Sequence, residues 1–476
     1  MVGEITYSLF RIDVGTMSLR FMDLKLNEAI ASLKAGKINV CVIGLEGVGL
    51  PIACLLANAG VKVTGFDGNL KLLSMLTSSK PPIAEPGLEK LFVKALREKK
   101  LTLTSKLKET ASKTQVFIFT VSASASSTRR IDYSQLEKLS SDVGLKLNPG
   151  SLLMFGGAMP PGLTEYLARH VLEERSGFTA GEDFGVAYSP LEASSGRIIA
   201  ELTETPRLIA GINPRSIEAA EAVLSVFARG GFIRLSSLRA AEASALLVSI
   251  YRDVNIALAN ELALFCRQLD VDYGEVLKAA NSQPRCHLHH PGIVGGERLH
   301  TRPYMLLRKA EDLGLEVRLA AVARKINEQM VKHTVKLVSR LLREKGKRLS
   351  GSKILLLGAS YKADVKSSQL SPAKLLSMAL KRKGAVVQVW DPLYSLDELR
   401  SLGYTPAILW ETLPKVDCVI ITVGHKAFRE LKHRILRELK LRGGGIIFDC
   451  SGQGIFSAED STEKVLVSGL SFKGGS

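Results

Sequence analysis

Cysteine is scarce in this 476-residue chain, and its six copies are scattered: Cys41, Cys54, Cys266, Cys286, Cys418 and Cys450. None forms a C-x-x-C pair, which excludes a dense disulfide framework and leaves no paired thiols for a structural zinc site. No run approaches the roughly 20 apolar residues that a membrane span needs. The N-terminus lacks a basic stretch followed by a continuous apolar core, so no secretory leader is expected. Tryptophan occurs twice, and the positive charge comes in short groups such as Arg129-Arg130 and Lys381-Arg382-Lys383 rather than in a block or an aromatic-interleaved stripe. Neither a nucleic-acid partner nor a membrane partner is therefore expected. A reduced cytoplasmic protein is the reading these absences leave.

What is present is ordinary globular material with one bias. Apolar residues make up 46% and charged residues 23%, while the formal net charge is +17. Such a field favours small anionic partners. The length exceeds what one hydrophobic core serves, so several domains are expected.

Strand-like and helix-like segments alternate from Ile38 onward. Ile38–Ile43 is β-rich and closes on Gly44, Leu50–Asn58 is helical, and Val61–Phe66 ends in Asp67. This is the βαβ unit of a dinucleotide-binding domain. From about Pro214 the pattern becomes helical, with long helices at Ser236–Leu269 and Leu315–Lys345 around an irregular loop that carries Pro284, Pro291, Gly295 and Gly296. Alternation restarts at Ser352. The expected fold is α/β, with two Rossmann-like, doubly wound parallel-sheet domains flanking a helical middle domain. Its divisions are an N-terminal extension at 1–36, an NAD-binding domain at 37–213, a helical dimerisation domain at 214–345 and a second Rossmann-like domain at 346–476.

Gly44-Leu45-Glu46-Gly47-Val48-Gly49 stands where a G-x-G-x-x-G loop belongs, between a strand and a helix. Gly44 suits the tight turn and Gly49 close helix–strand packing. The middle position is Glu46, with Gly47 one residue late, and a carboxylate there repels a pyrophosphate. Asp67 suits a ribose hydroxyl and favours NAD over NADP. The expected cofactor is NAD, held by Gly44, Gly47, Gly49 and Asp67, with weakened affinity. The sequence Cys286-His287-Leu288-His289-His290 is read as a polar loop, and no metal site is expected.

These segments resemble the UDP-glucose / UDP-N-acetylmannosamine dehydrogenase family over nearly the whole chain after residue 38. Gly44–Pro51 is similar to the family's G-L-G-Y-V-G-L-P, Pro82–Leu88 to its P-I-x-E-P-G-L, and Tyr251–Leu262 to its central helix. Gly358–Lys362 and Asp391-Pro392 are similar to its C-terminal nucleotide-binding domain. The resemblance implies NAD-dependent oxidation of a UDP-sugar C6 hydroxyl to a carboxylate, in polysaccharide biosynthesis, through a cysteine thiohemiacetal and thioester. A lysine and an asparagine stabilise the oxyanions. It also implies Lys362 and Arg285 as contacts to the nucleotide sugar, and pairing through the long helix as a homodimer or as a heteromer with an active paralogue.

At the reactive positions this chain departs from the family. The lysine falls on Ala245, the asparagine on Ser249 and the cysteine on Arg298, in a loop one residue short. The aspartate of P-x-D-P falls on Arg302, the acid of P-E-R on Leu191 with Glu192 one place on, and the sugar-gripping arginine on Gln369. The expectation is a catalytically silent relative that binds nucleotide sugar, NAD or a partner. The alternative is an active NAD-dependent UDP-sugar 6-dehydrogenase with altered residues.

Overall fold

The computed structural model describes residues 19–78, 81, 85–128, 130–409 and 413–472. Among the described residues, ten strands precede the helical middle. They are β1 (Asn39–Ile43), β2 (Lys62–Phe66), β3 (Leu101–Thr104), β4 (Val116–Phe119), the short hairpin β5 (Ser124–Ala125) and β6 (Ile131–Asp132), β7 (Leu152–Phe155), β8 (Gly185–Tyr188), β9 (Arg207–Gly211) and β10 (Phe232–Arg234). All but the hairpin form one sheet in the order β10-β9-β8-β7-β4-β1-β2-β3. Its pairings are parallel except β8 with β9. β1 lies between β2 and β4, so the chain direction across the sheet reverses there, and the crevice outside the C-terminal strand ends opens at that point.

The strand sequence explains the layering. Successive side chains of a strand point to opposite faces. Val40 and Val42 pack into one core, whereas Cys41 and Ile43 pack into the other with Phe117 and Phe119. Helices therefore cover both faces, as a parallel sheet requires.

Two expected divisions move. The region before residue 37 is not all an extension: Phe21, Met22, Ala29 and Leu33 belong to the first core, and Leu26–Lys34 is a helix packed on this domain. Its nine residues carry too short an apolar pattern to stand out in sequence. The division after residue 213 falls inside the sheet unit, because helix Pro214–Leu224 packs on the first core and β10 is an edge strand.

The middle is built on the unbroken 31-residue helix Leu238–Gln268, capped by Ser237, whose side chain accepts a hydrogen bond from the Ala240 N–H. It packs against helices Glu297–Asp312 and Arg318–Glu344. Glu297 and Arg298, expected in a loop, instead open helix Glu297–Asp312, which runs on through Pro303. Proline has no N–H to give the carbonyl four residues back. That carbonyl belongs to Leu299, and it accepts instead from the Arg324 guanidinium. Arg324 also pairs with buried Asp253 at 2.9 Å, beside Asn327 and Asn260. A tertiary donor thus repairs a local defect.

The last domain has strands β11 (Lys353–Leu357), β12 (Val386–Trp390), β13 (Cys418–Ile421), β14 (Gly445–Asp449) and β15 (Val465–Gly469), all parallel, in the order β12-β11-β13-β14-β15. It repeats the heart of the first domain in detail. Gly44 N–H donates to Phe66 O, and Gly358 N–H donates to Trp390 O. Thr120 Oγ1 donates to Gly44 O at 2.6 Å, and Thr422 Oγ1 donates to Gly358 O at 2.7 Å. Asp67 accepts from the Leu45 N–H, and Asp391 accepts from the Ala359 N–H. Each acid ends the second strand and fixes the loop after the first.

Candidate functional site

A cleft of about 510 Å³ opens at the C-terminal strand ends of the first sheet. Its lining runs from Glu46 and Asp67 at the glycine loop, past Thr120 and Gly157, to Arg298 and Arg302 of the middle helix and Gln369 of the last domain. All three parts of the chain meet there.

The glycine loop is shaped by contact. Gly49 opens helix Gly49–Asn58 so close to the strand that a Cβ on it would collide with the Gly44 carbonyl oxygen. No other residue fits that position. Asp67 is committed to the loop, accepting from the N–H groups of Leu45 and Asn69 at 2.8 Å each. A carboxylate has about four acceptor sites, so capacity for a ribose hydroxyl remains. Glu46 is exposed at the mouth of the loop, with Asn69 Nδ2 3.5 Å from its carboxylate. Gly44, Gly47, Glu46 and Asp67 all line the cleft, and Gly49 supports it from behind.

The far end is held by the loop after β8. Glu85, from the proline-rich segment whose residues 82–84 lie outside the described residues, is buried and accepts from the N–H groups of Gly196 and Ile199. Glu242 is buried on the long helix and accepts from the N–H groups of Gly162 and Thr164 and from the Thr164 hydroxyl. Burial raises its pKa, and these hydrogen bonds oppose that shift. Tyr188 donates to Gly157 O at 3.1 Å, and burial pushes its hydroxyl well above the ordinary value. A side chain at Gly157 would collide with the Val121 carbonyl, so the floor of the cleft is bare backbone.

At the centre, Arg302 grips Glu192 through both terminal nitrogens, at 2.6 Å and 2.5 Å. The same guanidinium donates to Ser249 Oγ at 3.1 Å and lies 3.4 Å from Ala245 O. A cation therefore sits against both helix positions that the resemblance assigns to lysine and asparagine, but it arrives from a different helix. Arg298, one turn earlier, is half-buried and donates to the Ala193 carbonyl. Burial lowers its pKa while Glu192 raises it, and an arginine remains charged at neutral pH.

The other expected residues are placed less centrally. Lys362 donates to Ser195 O at 3.1 Å and, with Tyr361, fastens the last domain to the loop after β8. Arg285 is exposed on the segment before the double glycine and does not line the cleft. No cysteine lines it either. Cys286 is half-buried outside it, and burial pushes Cys41 and Cys54 up to about 12. Sequence reasoning missed the Arg302–Glu192 pair. Its signal was a complementary departure: an arginine where the family carries an acid, and an acid shifted by one place.

Family comparison covers the same three parts. The NAD-binding domain of the UDP-glucose/GDP-mannose dehydrogenase family matches residues 38–228, its central domain residues 239–329 and its UDP-binding domain residues 355–453. The UDP-N-acetyl-D-mannosamine dehydrogenase of Pyrococcus horikoshii is 31% identical over 432 residues, covering 88% of this chain and all of that protein. The UDP-N-acetyl-D-glucosamine 6-dehydrogenase of Salmonella typhi is 28% identical, covering 84% and 93%. Among solved structures, the UDP-D-ManNAc dehydrogenase of Pyrococcus horikoshii superposes with a TM-score of 0.83 at 29% identity, over 91% of this chain and 99% of that one. No helix among the described residues is long and apolar enough to cross a membrane. With likeness running through all three domains, this chain belongs to the UDP-glucose/GDP-mannose dehydrogenase family.

Proposed function

We propose that the chain binds NAD and a UDP-sugar of the N-acetylhexosamine type in this cleft, and does not carry out the family's thiol-dependent, two-step oxidation. The observation that carries the reading is the Arg302 guanidinium, seated on Ala245 and Ser249 and clamped by Glu192, in a cleft that no cysteine lines.

The cofactor fits the loop in shape. The close approach of Gly49 to Gly44 and the open surface around Gly47 leave room for a diphosphate at the start of a helix, where N–H groups favour anions. Asp67 would hold the ribose, and Glu46 opposes the diphosphate by charge. When bound, NAD supplies a hydride acceptor. The protein's own contribution is to place the sugar: Lys362 and Tyr361 hold the last domain against the loop after β8, and Arg298 presents a cation to the anionic ligand.

The oxidation to a carboxylate requires a thiol nucleophile at the reacting carbon and a cation that stabilises the developing oxyanion. Arg302 offers charge, but its two terminal nitrogens are already engaged. No thiol is available beside it, because none of the six cysteines lines the cleft.

The test follows NADH absorbance with purified protein, NAD and UDP-glucose, UDP-N-acetylglucosamine or UDP-N-acetylmannosamine, with calorimetry on the same mixtures. Binding without turnover is expected. Steady turnover near about one per second, an ordinary enzymatic rate, overturns the reading. It would then favour the alternative, an active dehydrogenase that works through Arg302 and Glu192.

A further inference from the structure

A second pocket, of about 750 Å³, lies away from the cleft, where helices Leu238–Gln268 and Arg318–Glu344 meet the last domain. Arg267, His333, Lys336, Arg340, Arg343 and Lys383 line it, and among the described residues no carboxylate does. Lys336, Arg340 and Arg343 follow each other at intervals of four and three on one helix, which puts them on one face. Arg340 has Glu344 3.8 Å away, yet Glu344 does not line the pocket. Cations gathered this way repel one another, and the repulsion falls when an anion enters.

Two buried nitrogens reinforce the point. Arg267 is 5% exposed; its terminal nitrogens donate to Gly469 O, Phe472 O and Ser468 Oγ, but its Nε has no partner among the described residues. His333 Nε2 is also buried without a partner among them. Buried polar atoms in folded proteins almost always have one. Burial, then Arg340, push the Arg267 pKa down to about 10, so it remains a cation at neutral pH. The volume matches pockets that take small organic ligands. Leu264 and Leu349 supply apolar wall beside the charge.

We propose that this pocket binds a polyphosphate anion, the charged part of a nucleoside di- or triphosphate or a free phosphate chain, independently of any chemistry in the cleft. The ligand would lie against Arg267, which holds the end of the last domain through Gly469 and Phe472. Binding therefore couples that domain to the central helices.

The test is calorimetry of the full chain with inorganic tripolyphosphate and, separately, with ATP. It compares wild type with the double variant Lys336→Glu/Arg343→Glu. Both positions are exposed, so the fold is expected to survive, as circular dichroism would report. The neutral pair Lys336→Gln/Arg343→Gln serves if the reversal does not fold. Wild type is expected to bind, and the reversal to weaken binding at least about tenfold, equivalent to 1.4 kcal/mol. Tripolyphosphate is also expected to raise the thermal midpoint of wild type and not of the variant. Equal affinity for both anions assigns the site to the phosphate chain, and tighter ATP binding assigns it to a nucleotide. No binding at millimolar anion, or identical affinity and stoichiometry in wild type and variant, overturns the proposal.

Discussion

Arg302 and Glu192 form a two-pronged ion pair at 2.6 Å and 2.5 Å, with the arginine side chain 5% and the glutamate 20% exposed. Removing one member of such a pair leaves an uncompensated buried charge, a loss of about 3–5 kcal/mol for a fully buried pair. Because Glu192 retains some water contact, Glu192→Ala is expected to cost about 2–3 kcal/mol by that comparison. At common denaturant slopes this moves the urea midpoint down by roughly 1 M. Replacing both residues, as Glu192→Leu with Arg302→Met, should recover most of the loss. If the single and double variants unfold alike, the pair has no structural part and Arg302 is held by its contacts to Ser249 and Ala245.

Glu46 stands at the mouth of the glycine loop, where the family carries glycine. A charge pair at contact distance is worth about 1 kcal/mol in water and more when partly desolvated. Glu46→Gly should tighten NAD binding by roughly tenfold, since a decade is 1.4 kcal/mol. Gly49→Ala should instead abolish binding, because its Cβ would meet the Gly44 carbonyl. Equal NAD affinity for wild type and Glu46→Gly, read by calorimetry, would mean that the diphosphate does not pass this residue.

These two sites differ in how far the sequence disclosed them. The loop was legible because Gly44, Gly47, Gly49 and Asp67 lie within one βαβ unit, and its strand–turn–helix order brings them together locally. Strands Leu152–Phe155, Lys353–Leu357 and Val386–Trp390 were legible for a similar reason: each is a compact apolar run bounded by breakers. The Arg302–Glu192 pair was not, since its members are 110 residues apart and meet only through packing of the middle helix on the first domain. That helix was itself hidden. The double glycine before it read as part of a loop, and Arg324, contributed by another helix, satisfies the Leu299 carbonyl that Pro303 leaves without a donor. Edge strand β10 has three half-buried or exposed residues and gave no apolar signal.

The long helix leaves an apolar face uncovered. Val248, Tyr251 and Leu258 are 60%, 57% and 43% exposed, and their spacing of three and seven puts them on one side. Exposed patches of this kind mark association surfaces. A dimer is expected at micromolar concentration by light scattering, and Tyr251→Glu with Leu258→Glu should yield a monomer of unchanged helicity. A wild-type monomer would count against this face as an interface.

In the last domain, Asp391 supplies a pH dependence whose sign follows from its surroundings. One carboxylate oxygen accepts from the N–H groups of Ala359 and Ser360 and lies 3.1 Å from His425 Nε2; the other accepts from the Leu393 N–H. The Asp364 N–H donates to His425 Nδ1, so the His425 proton sits on Nε2 and points to Asp391. Burial raises the Asp391 pKa, but the His425 hydrogen bond and the N–H donors outweigh it and hold the group below its ordinary 3.8. A carboxylate whose folded pKa is depressed contributes stability that is complete above the unfolded value and is lost as pH falls through the folded one. Glu242 and Asp449, which burial raises, have the opposite sign, so acid unfolding of wild type alone would mix the effects. The difference between wild type and Asp391→Asn isolates this residue. The variant should be less stable at neutral pH, and the gap should stay constant down to about pH 4 and then close below it. Thermal midpoints of both proteins across that range decide the matter. A gap that stays constant or widens below pH 4 would show that Asp391 carries no charge-dependent stability in this fold.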